Sequence, residues 1–129
     1  MEYAHERHAV HLVVYHSIFC PKRRRKVLRG PMRDRWQHII QEVVAEHQWS
    51  VIALAIQPDH AHVFLRSDPY TLPTDIARLI KGRSAHFLRK EFPALKRLPS
   101  LWTRSTFSST AGKVSREIIQ QYIERQSEQ

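Results

Sequence analysis

Gln57-Pro58-Asp59-His60-Ala61-His62-Val63-Phe64-Leu65 is the stretch on which the reading of this chain turns. If residues 60 onward form a β-strand, His60 and His62 point to the same side, because successive side chains alternate across a sheet. Val51 to Ile56, just upstream, is also apolar and strand-like, and Pro58-Asp59 supplies the fixed φ and the side-chain acceptor that favour a tight turn. The expectation is a β-hairpin that presents His60 and His62 at the start of its second strand. Two imidazoles on one side of a strand can share a metal ion, and the same spacing also serves half-exposed strand histidines that bind nothing.

Upstream of the hairpin, residues 9 to 20 are rich in β-branched and aromatic types and too apolar for a solvent edge, which predicts a central first strand. Pro21 and the cationic block Lys22-Arg23-Arg24-Arg25-Lys26 end it, since proline cannot donate to a ladder and adjacent cations need water. Residues 31 to 48 place Trp36, Ile39, Ile40, Val43, Val44 and His47 at helical spacing behind Pro31. Downstream, Thr74 or Asp75 can cap a second helix running to about Phe92, with Ile76, Leu79, Ile80, Phe87 and Leu88 facing inward. Gly82 in its middle costs roughly 1 kcal/mol against alanine, so the helix bends there or something approaches its backbone closely. Leu101 to Thr110 reads as a fourth strand, and Ser115 starts a last helix carrying Ile118, Ile119, Tyr122 and Ile123.

The order is β-α-β-β-α-β-α. This is the ferredoxin-like α+β arrangement: an antiparallel four-stranded βαββαβ sheet with two helices on one face, followed by a C-terminal helix that carries Tyr122. The first and third strands are expected at the centre, with His60 and His62 close to His11, Tyr15 and the 22 to 26 block. A chain of 129 residues is read as a single domain spanning 1–129.

Composition narrows the function classes. Against 12 Asp+Glu stand 21 Lys+Arg, a formal net charge of +9, which points to a polyanionic partner. The cations gather in the 22 to 26 block and at Arg78, Lys81, Arg83, Arg89 and Lys90 along the second helix, which favours phosphate contact. No apolar run reaches transmembrane length, the Met1-Glu2-Tyr3 start is not a signal peptide, and the single Cys20 cannot form an internal disulfide. The expectation is a cytoplasmic protein with no membrane partner.

On the last helix Tyr122 and Gln126 are four apart and share a face. A phenol is a nucleophile only when its proton is removed or its electrophile polarised, and otherwise Tyr122 is a packing residue. A metal on His60 and His62 would polarise a phosphate ester, and the Gln126 carbonyl oxygen offers a third ligand. A zinc hydrolase is the poorer reading, because no further His or Cys stands at ligand spacing, and His11 and His16 are distant in sequence.

Pro58-Asp59-His60-Ala61-His62 has the form of the HUH motif, histidine-hydrophobe-histidine. With His16 to Leu28, Leu79-Ile80-Lys81-Gly82-Arg83-Ser84, Leu101-Trp102-Thr103-Arg104-Ser105 and Tyr122-Ile123-Glu124-Arg125-Gln126, the chain resembles the single-tyrosine transposases of the insertion sequence 200/605 family from His16 to Gln126. The resemblance implies an enzyme that cleaves and rejoins single-stranded DNA at hairpin-marked element ends through a 5′-phosphotyrosine formed by Tyr122. It further implies a Mg²⁺ or Mn²⁺ ion held by His60, His62 and Gln126, and a homodimer in which the tyrosine helix serves its own or the other subunit. Hairpin contacts would fall to Lys22, Arg23, Arg24, Arg25, Lys26, Lys81, Gly82, Arg83 and Arg104. Arg23 stands where the family pattern has tyrosine. The rival expectations are a domesticated relative acting on repetitive extragenic palindromes and a non-catalytic single-stranded nucleic-acid-binding module of the same fold.

Overall fold

The protein is described by a computed structural model over residues 13–110. The expected last helix, Tyr122, Gln126 and His11 lie outside these described residues. Strand β1 (Val13–Phe19) leads through a short basic turn to helix α1 (Gly30–Glu46), then the hairpin of β2 (Ser50–Gln57) and β3 (His60–Ser67). Helix α2 (Pro73–Glu91), a 3-10 turn at Pro93–Arg97 and strand β4 (Phe107–Thr110) follow. The four strands form an antiparallel sheet in the order β2-β3-β1-β4, with β1 and β3 central. This is the ferredoxin-like arrangement expected from the element order.

Alternation divides the sheet into two faces. Ala61, Val63 and Leu65 of β3 and Phe19 of β1 pack with Trp36, Ile39, Ile40 and Val43 of α1 and Ile76, Ile80 and Leu88 of α2 in one core, so both helices cover the same face. On the opposite face Ala55 and Phe64 form a smaller buried cluster against Val14, Ile52 and Ala53. An irregularity in the β2–β3 register between Val51 and Ala53 adds one residue to β2 there. The two-residue Pro58-Asp59 turn brings Gln57 opposite His60 and so fixes which face receives the histidines.

Three expectations need correction. The fourth strand covers only Phe107–Thr110, because Leu101 and Trp102 are buried by a loop that crosses the end of β1. Lys22 N donates to Leu101 O at 2.8 Å, Thr103 N donates to Cys20 O at 2.9 Å, and Pro21 bridges Trp102. Helix α2 is preceded by Leu72 with no side-chain cap, and neither Thr74 nor Asp75 caps it; Pro73 opens its first turn. Leu79 is 41% exposed, and the inward face is instead Ile76, Ala77, Ile80, Ser84 and Leu88. Helix α2 runs unbroken through Gly82.

The helices are joined by one buried polar contact, in which Trp36 Nε1 donates to Ser84 Oγ at 2.8 Å. Ser84 Oγ in turn donates to Ile80 O, so both groups are satisfied without water. Ser84→Ala should therefore lower unfolding stability by about 1–3 kcal/mol, because the indole N–H loses its acceptor in the core. In a Trp36→Phe background the same change should cost clearly less. Urea unfolding of the four proteins of the cycle checks this, and additive losses would contradict the coupling.

Candidate active site and cationic groove

His60 and His62 extend to the sheet face away from the helices, with ring centroids 5.3 Å apart. Each is oriented through Nδ1. Asp59 Oδ1 lies 2.7 Å from His60 Nδ1, and a carboxylate can only accept, so His60 carries a proton on Nδ1. In the uncharged form of the ring the lone pair then falls on Nε2. Arg24 donates to Asp59 Oδ2 at 3.1 Å, and its 3.4 Å approach to His60 Nδ1 sets one donor beside another, leaving the shorter Asp59 contact in control. The hydrogen bond from His60, opposed in part by burial and reinforced by Arg24, holds the Asp59 carboxyl below the usual carboxylate range.

His62 is only 5% exposed and lies across the sheet from Ile18 of β1 and Ala55 of β2. Its Nδ1 is 2.9 Å from Nε2 of His16, which stands opposite Phe64 and reaches His62 along the diagonal of the β1–β3 pair. Tyr15, expected near the histidines, pairs with Leu65 and packs into the helix-side core. Burial, followed by the neighbouring His16 and His60, pushes the His62 pKa down to about 4, and burial lowers that of His16. Both rings are therefore neutral at pH 7, the protonation state in which imidazole is a metal ligand.

The fit to a divalent ion can be judged from the donors. His60 and His62 offer two imidazole nitrogens from one strand face, and each ring has a partner at Nδ1, as metal-ligating histidines do. Among the described residues no group of three His, Cys, Asp or Glu side chains could hold a metal. Two imidazoles completed by oxygen ligands would suit Mn²⁺ better than the closed four-ligand set of structural zinc.

A second feature is a groove of about 830 Å³ between α2 and the segment from Pro99 to Thr106. Lys22, Arg78, Lys81, Arg89 and Arg104 line it, over Gly82, Ala85 and Trp102. Neither His60 nor His62 lines it. Gly82 faces the open groove, where a Cβ placed on it would meet nothing within 4 Å. Lys81 Nζ donates to Thr103 O at 2.9 Å, and burial lowers its pKa. Arg83, on the same helix, instead makes a bidentate ion pair with Glu46 of α1. Arg23, Arg24, Arg25 and Lys26 are exposed after β1, where Lys22 lines the groove and Arg24 reaches the Asp59-His60 turn. Arg78 and Arg89 are not among the expected hairpin contacts, although their helical spacing places them on the side of Lys81, whereas the His16–His62 contact needs the strand register.

The depressed His62 pKa has a sign that can be tested. The folded state keeps the ring neutral while the unfolded chain takes up a proton near pH 6.5, so stability is full above that value and is lost as pH falls toward about 4. His62 should account for a loss on the order of 3 kcal/mol over that window. Urea midpoints measured between pH 7.5 and 4 should fall more steeply for the wild-type chain than for His62→Gln; identical slopes would contradict the assignment.

Comparison with known proteins agrees with this geometry. The family model described as "Transposase IS200 like" matches residues 9–126. The chain is 33% identical over 120 residues to the ISDra2 transposase TnpA of Deinococcus radiodurans, covering 91% of this chain and 86% of that one. It is 29% identical over 118 residues to the transposase of insertion sequence element IS200 from Salmonella typhimurium, covering 89% and 77%. A crystal structure of a Deinococcus radiodurans R1 protein assigned as a transposase superposes with a TM-score of 0.72 at 32% identity, over 89% of this chain and 91% of that one. A REP-associated tyrosine transposase bound to a REP hairpin shares the fold, with a TM-score of 0.59 at 14% identity over 86% and 62%. On the match along nearly its whole length, this chain belongs to the IS200-like transposase family.

Proposed function

We propose that this transposase cleaves and rejoins single-stranded DNA at hairpin-marked ends, with Tyr122 as nucleophile and with His60, His62 and Gln126 as ligands of a Mg²⁺ or Mn²⁺ ion. The observation that carries this reading is the imidazole pair on one sheet face, each ring turned by a partner at Nδ1. Family membership supports a DNA-cleaving enzyme. The hairpin carried by the REP-associated neighbour supports a hairpin ligand.

The chemistry balances without an external energy source. The Tyr122 oxygen attacks the phosphorus, the bond from phosphorus to the 3′-oxygen breaks, and a 5′-phosphotyrosine and a free 3′-hydroxyl result. The phenol proton passes to solvent and the leaving 3′-oxygen takes one up. In reverse, a 3′-hydroxyl attacks the phosphotyrosine, restores a phosphodiester and releases the phenol. A phenol of pKa about 10 needs a polarised electrophile at neutral pH, and a bound divalent ion supplies that Lewis acidity. His60 and His62 would be held in orientation by their Nδ1 partners, while Gln126 would add an oxygen donor.

The groove is the proposed track for the DNA backbone, with Lys22, Lys81 and Arg104 joined by Arg78 and Arg89 on phosphates and Gly82 admitting the strand. Arg23, Arg24, Arg25 and Lys26 extend the basic surface beside it. Arg83, paired with Glu46, would reach DNA only by giving up that pair. The working unit is taken to be a homodimer, as in the family.

Incubation with labelled hairpin-bearing single strands and Mn²⁺ should give a covalent adduct on a denaturing gel. Tyr122→Phe should abolish it and His60→Ala should reduce it by at least about 100-fold, the scale of losing a metal ligand's contribution. An adduct undiminished in Tyr122→Phe would rule out the nucleophile; metal-indifferent binding with no adduct would return the chain to a binding module. In the groove, Arg89→Ala and Arg104→Ala should each weaken hairpin binding and lower the salt slope of log K by about 1. Unchanged slopes would place the DNA elsewhere.

A further inference from the structure

We infer that His16 is a positioning residue that holds His62 in its metal-binding tautomer by accepting the proton of His62 Nδ1, an inference that rests on the metal reading above. The ring of His16 lies flat on Phe64, with centroids 4.2 Å apart and an interplanar angle of 3°, and its Nε2 is 2.9 Å from His62 Nδ1. The stack fixes the plane of His16 and so the direction of its lone pair.

Two neutral imidazoles joined by one hydrogen bond have two arrangements. If His16 donates, its N–H points at the lone pair on Nδ1 of His62, and His62 must carry its own proton on Nε2, where no metal can then bind. If His62 donates, the proton sits on its Nδ1 and the lone pair on Nε2 is the ligand. Only the second arrangement matches His60, whose proton the Asp59 carboxylate draws to Nδ1 at 2.7 Å. Both histidines would then bind through Nε2 and be oriented through Nδ1, one by a carboxylate and the other by a neutral imidazole. His16 in turn carries its proton on Nδ1. A neutral acceptor suits His62, whose ring is buried where a second carboxylate would have to be desolvated.

The test uses the full chain. Long-range ¹⁵N–¹H NMR of the metal-free protein at neutral pH reads the tautomer of His62, and calorimetric titration with MnCl₂ reads the affinity. In the wild-type chain His62 should carry its proton on Nδ1. His16→Phe keeps a ring against Phe64 but removes the acceptor; it should move His62 toward the Nε2–H tautomer and weaken Mn²⁺ binding by about 10–100-fold. His16→Gln, whose amide oxygen can accept in the place of Nε2, should restore binding toward the wild-type value. A wild-type His62 protonated on Nε2, or a folded His16→Phe that binds Mn²⁺ as the wild type does, would overturn the inference. Should His16→Phe not fold, the wild-type tautomer decides alone. A wild-type chain that binds no more Mn²⁺ than His60→Ala overturns the metal reading itself, and the inference with it, a pattern distinct from binding that ignores His16.

Discussion

The antiparallel pairing of β3 with its two neighbours is the constraint on which the rest of the molecule depends. A strand alternates with period two, so a slip of one residue would turn Ala61, Val63 and Leu65 out of the core and His60 and His62 into it. The cost of burying two imidazoles under the helices while exposing three apolar side chains locks the register. The same register that closes the core therefore fixes the histidines on the opposite face. It also sets His16 at the diagonal of His62, so packing and chemistry share one determinant.

The basic segment after β1 links the sheet to the cationic groove. Arg23 and Arg24 both have positive φ, 60° and 54°, a conformation that costs non-glycine residues of order 1–3 kcal/mol each. The surroundings hold it there through Arg24 N donating to Pro21 O, Lys22 N donating to Leu101 O, and the Arg24–Asp59 ion pair. The result is that adjacent cations serve different ends: Lys22 lines the groove and Arg24 braces the turn that orients His60. On α2 the same division follows from helical geometry. At about 100° per residue, Lys81, Gly82, Ala85 and Arg89 stay near the azimuth of Arg78, while Arg83 sits about 140° away. There it meets Glu46.

Much of this was legible in the sequence where local rules and tertiary burial agree. The hairpin followed from Pro58-Asp59 between two apolar, strand-like runs, and α1 from the spacing of Trp36, Ile39, Ile40, Val43 and Val44. The order of elements was enough for the sheet topology. The fourth strand was read too long because Leu101 and Trp102 are apolar for a different reason, as a loop buried by crossing β1, and periodicity does not separate the two cases. The start of α2 was misread because Pro73 opens it with a preset φ and no N–H, and Asp75 N donates to Leu72 O rather than to a capping side chain. At the proposed site, the likeness to a known motif pointed to His60 and His62, yet the partners at their Nδ1 atoms were not legible. Asp59 was read only as a turn former, and His16 is 46 residues from His62, so nothing short of the β1–β3 register joins them.

On the reading proposed above, His60 and His62 share one divalent ion through Nε2. A crystal grown with Mn²⁺ and measured at a wavelength that reveals manganese by its anomalous signal tests it most directly. One anomalous peak is expected within bonding distance of Nε2 of both residues, with Asp59 and His16 still on the Nδ1 side. A peak bonded to either Nδ1, or manganese bound elsewhere with the imidazole pair left without it, would contradict the account.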